Sequence, residues 1–155
     1  MTEKNILIAM DKPDDVLLTL RALEKNGIDA EVVVASDGAE VLEYLRGAVV
    51  NAGSELGDEP NLVLLDPRLP KVDGLELLRY IRQDERTSSL RVVVLTSDER
   101  ERGVIAEYGL RVDLFIEREV DFARYSREFR RLRPLLDGSV LPSGSSVNLT
   151  AGELA

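Results

Sequence analysis

The sequence predicts an α/β fold: a doubly wound parallel sheet with helices on both faces. Three observations carry that prediction. Five short apolar runs, at residues 5–10, 31–35, 61–65, 91–95 and 112–116, alternate with five stretches of helical period. The runs are mostly Val, Ile and Leu with little polar alternation, as in strands buried on both faces. The chain of 155 residues is long enough for one domain whose core folds unaided.

Each element has its own signal. After the first strand, Pro13 opens a helix at a position where its missing N–H would be unpaired anyway. Val16, Leu17, Leu20 and Leu23 form an inward stripe, and Asn26-Gly27 stops the helix. A second helix follows Ser36-Asp37-Gly38 with Val41, Leu42 and Leu45 inward. The third uses Leu75, Leu78 and Ile81, and the fourth Val104, Ile105 and Tyr108. The fifth spans about residues 121–133, with Phe122, Tyr125, Phe129 and Leu132 inward, and Pro134 closes it. A (βα)5 alternation implies right-handed crossovers and, at this size, the flavodoxin-like strand order 2-1-3-4-5. In such sheets ligands bind at the carboxyl ends of the strands flanking the switch point, here strands 1 and 3. That rule singles out Met10-Asp11 and Leu65-Asp66.

Two segments lie outside the alternation. Residues 47–60 read as a long polar loop with Gly47, Gly53 and Gly57. Residues 137–155 are rich in Ser and Gly, carry no Lys or Arg, and read as a mobile tail after a domain of residues 1–136.

Composition removes several chemistries. The 44% apolar and 32% charged content is that of a soluble globular chain. With no cysteine, disulfides and thiolate metal sites are excluded. With no histidine, the chain has no imidazole ligand, imidazole base or phosphohistidine of its own. Any phosphohistidine must come from a partner. No stretch approaches the roughly 20 apolar residues of a membrane span. The apolar run near the N-terminus suits a strand better than a signal peptide, so a cytoplasmic location is expected. A net charge of -9 argues against a broad nucleic-acid surface.

Two carboxylates stand at the predicted switch point. Asp66 ends Leu62-Val63-Leu64-Leu65 and precedes Pro67-Arg68-Leu69-Pro70, while Asp11 ends the first strand. Like charges converging in one crevice raise a pKa or call in a divalent cation. With oxygen ligands alone, Mg²⁺ is the natural one. A strand-end carboxylate beside such an ion can act as a nucleophile towards phosphorus. A lone strand-end Asp reads instead as a cap or turn former; the pair at the switch point favours a site. Asp14, Asp15, Asp37 and Asp73 read as capping and solvated positions. There is no GxxxxGK[ST] loop and no GxGxxG. A dehalogenase-type phosphatase would need an acid where Arg68 stands. A flavodoxin-type cofactor binder would need a hydroxyl- and Gly-rich loop in place of residues 10–15.

These residues resemble a known family. ILIAMDKPDD is similar to the opening of response-regulator receiver domains, LVLLDPRLPKVDGLELL to their phosphoacceptor segment, and VVVLTSDE to the strand bearing their hydroxyl switch. VIAEYGLRVDLFIEREVDFARY aligns with their last strand and helix without a gap, so the resemblance covers about residues 4–133. The loop at 47–60 is similar to that of small receivers that partner bacterial phytochrome kinases. The resemblance implies that Asp66 accepts a phosphoryl group from a partner histidine kinase, in this subgroup of the phytochrome type. It implies Mg²⁺ held by Asp11, Asp66 and the backbone carbonyl of Arg68. Thr96 and Arg118 would bind the phosphoryl group, and Thr96 with Phe115 would form the switch. Thr96 also reads as a strand-end hydroxyl bonded to the backbone, and Phe115 as core packing. No enzymatic activity is implied beyond self-catalysed phosphoryl transfer and hydrolysis.

Four positions depart from the pattern. Met10 stands where the family has a second acid, so weak Mg²⁺ binding is expected. Arg118 replaces the family's lysine with a larger, planar, forked cation. Glu119 replaces a proline whose preceding bond is usually cis; a cis bond before Glu costs about 3 kcal/mol, so a trans bond is expected. Pro67 removes a backbone N–H beside the acceptor. The site reads as weakened rather than abolished, or else as drifted towards a phosphorylation-independent interaction module. With no output domain after residue 133, signalling would go by protein contact. The fifth helix carries Arg124, Arg127, Arg130, Arg131 and Arg133 against Glu128, and the fourth helix region offers Asp98, Glu99, Glu101 and Glu107. A surface of both signs can pair with itself, and the resemblance implies a homodimer through the fourth helix, fifth strand and fifth helix.

Overall fold

A computed structural model describes residues 4–50, 60–97, 99–118 and 121–137, with side chains up to residue 47 in the first segment. The elements are β1 (Asn5–Ala9), α1 (Pro13–Lys25), β2 (Glu31–Ala35), α2 (Gly38–Val50), β3 (Leu62–Leu65), α3 (Gly74–Gln83), β4 (Arg91–Thr96), α4 (Glu99–Glu107), β5 (Leu114–Glu117) and α5 (Phe122–Glu128). A short 3-10 turn (Phe129–Arg131) and α6 (Leu132–Asp137) follow. The sheet is parallel throughout, in the predicted order 2-1-3-4-5. The register pairs Ala9 with Leu65, and Asp66 N–H donates to Ala9 O at 2.9 Å.

Successive side chains of each central strand point to opposite layers. Leu7, Ala9, Val63, Leu65, Val92 and Val94 pack with Val41, Leu77, Ile81 and Ile105. Ile6, Ile8, Leu62, Leu64, Val93 and Leu95 pack with Leu23, Tyr125, Phe129 and Leu132. Each fully buried aliphatic side chain contributes on the order of 1.5–3 kcal/mol. That core makes the strand ends a rigid platform for whatever stands on them.

Several expectations need correction. The run at 31–35 is not buried on both faces: β2 is an edge strand whose Val33 and Val34 are exposed. On α1 the inward residues are Thr19, Ala22 and Leu23, while Leu17 and Leu20 are 49% and 36% exposed. A threonine can face inward because its hydroxyl is satisfied by Asp15 O and Tyr125 Oη, both at 2.8 Å. On α4 Ile105 is buried, whereas Val104 and Tyr108 are exposed. Pro134 does not close the last helix. It sits in the first turn of α6, where no N–H is required. The last strand begins two residues later than the run suggests, because Val112 and Asp113 lead into it.

Asp37 and Asp73 are caps, as expected. Asp73 Oδ1 accepts from Leu75 N–H and Glu76 N–H, both at 3.0 Å, and Asp37 Oδ1 accepts from Glu40 N–H at 2.8 Å. Among the described residues no helix is long and apolar enough to cross a membrane. The loop expected from residue 47 begins later, because α2 runs on to Val50. Residues 51–59, the tail after Asp137, Asp98 and the Arg118–Glu119 bond lie outside the described residues.

Candidate functional site

The carboxyl ends of β1, β3, β4 and β5 bring Asp11, Asp66, Thr96 and Arg118 to one end of the sheet. Asp66 is the most enclosed carboxylate there, 2% exposed. Its Oδ1 accepts from Arg68 N–H at 2.9 Å and its Oδ2 from Arg118 Nη1 at 3.1 Å. Pro67 indeed offers no N–H, but the next residue supplies the missing donor. The turn that allows this is tight. Gly74 N–H donates to Pro67 O at 2.9 Å, and a Cβ on Gly74 would fall inside the Pro67 backbone. Lys71, at φ 71°, takes the left-handed conformation in the same loop, and its ammonium pairs with Asp37 Oδ2 at 3.3 Å.

Burial pushes the Asp66 carboxyl above the ordinary carboxylate range. The Arg68 N–H and the Arg68 charge oppose this, while repulsion from Asp11 and Asp15 adds to it. The sequence rationale gave repulsion first place; in the structure desolvation is the larger cause. Asp11 stands just past the end of β1, next to β3, close enough for its charge to add to the upward push on Asp66.

The donor set fits a hard divalent cation: two carboxylates, a nearby backbone carbonyl on Arg68, and no nitrogen or sulfur ligand. No group of three acids that could close on an ion exists among the described residues. Mg²⁺, which keeps several waters, suits so sparse a set better than Ca²⁺ does.

Met10 does not reach the crevice. It is 1% exposed, belongs to the core, and its sulfur accepts from Thr19 Oγ1 at 3.5 Å. Thr96 ends β4, buried, opposite Glu117 in register, and its carbonyl accepts from Arg118 N–H at 2.9 Å. That bond fixes the start of the Arg118 side chain beside Asp66. Phe115 is half-buried against the core, and the Arg102 guanidinium lies over its ring at 5.1 Å to the centroid. It is held at the sheet edge between α4 and solvent.

One residue escaped the sequence reading. Asp15 is half-exposed but has a partner: its Oδ2 accepts from Arg118 Nη1 at 3.3 Å, so one guanidinium nitrogen bridges Asp15 and Asp66. The available signal was its place one turn into the first helix, on the side that faces the strand ends. Among the described residues, the buried side-chain polar atoms without a hydrogen-bond partner are Arg118 Nε and Ser97 Oγ. Both belong to segments that end at this crevice.

The response regulator receiver domain family matches residues 6–128. The chain is 36% identical over 113 residues to response regulator Rcp1 of a Synechocystis species, covering 73% of this chain and 75% of that one. The Mn²⁺-bound structure of Rcp1 superposes with a TM-score of 0.72 at 31% identity, covering 90% and 99% of the two chains. The bacteriophytochrome response regulator RtBRR gives 0.71 at 36% identity, covering 85% and 79%. The phosphorylated cyanobacterial phytochrome response regulator RcpA gives 0.73 at 29% identity, covering 92% and 100%. Strand order, the strand-end carboxylates and these likenesses agree: the chain belongs to the response regulator receiver family and is a receiver of two-component signalling.

Proposed function

We propose that Asp66 accepts a phosphoryl group from the phosphohistidine of a partner kinase, and that the protein signals through contacts with other proteins. One observation carries this reading: an enclosed strand-end carboxylate has one oxygen on a backbone N–H and the other on a buried guanidinium. In the transfer, a lone pair of an Asp66 oxygen forms the O–P bond. The P–N bond of the donor breaks and leaves its electrons on the imidazole nitrogen, so no proton passes through the receiver. Arg118 and the Thr96 hydroxyl then bind the phosphoryl oxygens, with Arg118 Nε a free donor for the purpose. Phe115 carries the change to the surface between α4 and β5.

Asp11, Asp66 and the Arg68 carbonyl would hold Mg²⁺, which supplies positive charge against the phosphoryl oxygens. Rcp1 has been crystallised with Mn²⁺, and the absence of an acid at position 10 implies weak affinity. The likeness to Rcp1, RtBRR and RcpA supports a phytochrome-type histidine kinase as donor, and a cytoplasmic setting belongs to the same reading. The chain also catalyses its own dephosphorylation. The mixed charge of the face formed by α4, β5 and α5, with the family resemblance, supports self-association there. A phosphorylation-independent role is less supported, since acceptor, facing acid and adjacent cation are all retained.

Incubation with acetyl phosphate and Mg²⁺ should add the mass of one phosphoryl group, and Asp66→Asn should abolish the gain. A gain that persists in Asp66→Asn would place the acceptor elsewhere.

A further inference from the structure

Arg118 is held in an unusual way. Its side chain is 8% exposed, yet a single nitrogen, Nη1, serves two carboxylates, and Nε has no partner. A guanidinium beside one carboxylate ordinarily pairs by two parallel N–H···O bonds. Here Asp15, 35% exposed on the first turn of α1, draws the same nitrogen the other way, at 3.3 Å against 3.1 Å for Asp66. Position 10, just past the end of β1, carries no acid that could do this. Met10 is turned into the core, with its sulfur on the Thr19 hydroxyl. A cavity of about 60 Å³ lies beside the guanidinium, lined by Met10, Asp15, Leu18, Arg118, Phe122 and Tyr125. The group therefore has room to rotate while Asp15 tethers it.

We propose that Asp15 is a positioning residue for phosphoryl transfer: it holds the Arg118 guanidinium in a one-point contact with Asp66 and so keeps that carboxylate open to attack. If Arg118 closed on Asp66 with two bonds, Oδ1 would carry a second donor beside the Arg68 N–H, whereas the one-point contact leaves each oxygen with a single donor and lone pairs to spare. With the tether, the nucleophilic oxygen forms the O–P bond while the donor's P–O or P–N bond breaks and its electrons leave with acetate or imidazole. The guanidinium then turns about its Asp15 contact and presents Nε and its other nitrogens to the phosphoryl oxygens. The inference rests on Asp66 being the acceptor, but Asp15 itself touches Arg118 and not the reacting atoms.

Two measurements test it. The first needs neither donor nor metal: rotation of the Arg118 guanidinium about its Cζ–Nε bond, followed by arginine side-chain NMR in the unphosphorylated protein. Asp15→Asn should shift the Arg118 Nη resonances and change the rotation rate, and Asp15→Glu should restore both towards wild type. The second is single-turnover phosphorylation by acetyl phosphate over a range of donor concentrations. Asp15→Asn should lower the maximal rate about tenfold while leaving half-saturation within about twofold, the signature of an interaction that matters in the transition state and little in donor binding. Asp15→Glu should recover most of the rate. An unchanged maximal rate, or a loss with unaltered Arg118 signals, overturns the proposal. If wild type gains no phosphoryl group at all, the acceptor reading fails, and the NMR arm still decides whether Asp15 tethers Arg118.

Discussion

The protein buries two arginines to the same extent and uses them in opposite ways. Arg82, at the end of α3, is 8% exposed at its side chain, as is Arg118. Arg82 spends nearly all its donors. Nε reaches Arg111 O at 3.0 Å, Nη1 reaches Ser88 O at 2.8 Å and Leu90 O at 2.7 Å, and Nη2 pairs with Asp113 Oδ2 at 3.3 Å. It stitches α3 to the segments entering β4 and β5, at the amino ends of the strands. Burial, aided by the Arg111 charge and opposed by Asp113, pulls its pKa down to about 10, still charged at neutral pH. Arg118 stands at the carboxyl ends with one nitrogen shared and Nε unpartnered. A satisfied buried charge is structural; an under-satisfied one beside a buried carboxylate has donors left over for a ligand.

The largest effect should come from Arg82→Met. It takes the Arg82 donors from Arg111 O and Ser88 O, leaves Leu90 O to Arg111 alone, and removes one partner of the Asp113 carboxylate, which keeps the Val92 N–H at 2.8 Å and the Arg111 charge. We expect a loss of about 3–5 kcal/mol in urea unfolding, unrelieved by Mg²⁺. A loss under about 1 kcal/mol would break the contrast. Arg118→Met should cost less, about 1–2 kcal/mol, because Asp66 keeps the Arg68 N–H. Here Mg²⁺ should recover most of the loss, since it takes over the neutralising charge. Equal behaviour of the two variants towards Mg²⁺ would mean that Arg118 is structural too.

A smaller effect is the pH response of Asp66. Its carboxyl is raised, so protonation favours the folded state. The stability it contributes is fully present below the ordinary carboxylate value and is lost as pH rises through the raised one. Unfolding free energies without metal, measured for wild type and Asp66→Asn from acid to neutral pH, should show wild type losing ground as pH rises and then levelling. Each unit of upward shift corresponds to about 1.4 kcal/mol. A difference that grows in the opposite direction would mean that the Arg118 contact outweighs burial.

Much of this was legible in the sequence. The unbroken apolar runs of β1, β3 and β4 gave strand identity and order, and the switch-point rule pointed to Asp11 and Asp66 without any motif. What stayed hidden depends on partners distant in sequence. Thr19 reads as a surface residue until Tyr125 lies against its hydroxyl, 106 positions on. Leu17 and Leu20 read as core until the edge strand leaves them uncovered. Asp15 reads as a helix-start acid until the longer Arg118 side chain, with Met10 out of the crevice, reaches across to it. Periodicity reports which face of an element is apolar; it does not report a bond between an acid on one helix and a base after the last strand.

A third set of arginines, on the exposed side of α5 and the turn after it, sharpens the contrast furthest. Arg124 pairs with Glu117 at 3.3 Å, Arg131 with Glu128 at 2.8 Å, and Arg133 donates to Asn26 O at 2.7 Å. Arg127 and Arg130 are exposed, while Tyr125, Phe129 and Leu132 between them face the core. Such groups add little to folding, because water and salt screen them. Their charges are available for contacts between molecules. α4 exposes Val104, Glu99 and Glu107, and Tyr108 just past its end is exposed too, so a two-fold contact could set acids of one copy against Arg127 and Arg130 of the other around an apolar centre. The double variant Arg127→Glu/Arg130→Glu should leave the urea midpoint unchanged. In sedimentation velocity it should remain monomeric at concentrations where wild type associates, and wild-type association should weaken between low and high salt. A wild type that is monomeric at every concentration and salt refutes the dimer. A dimer untouched by the double variant moves the contact off this face.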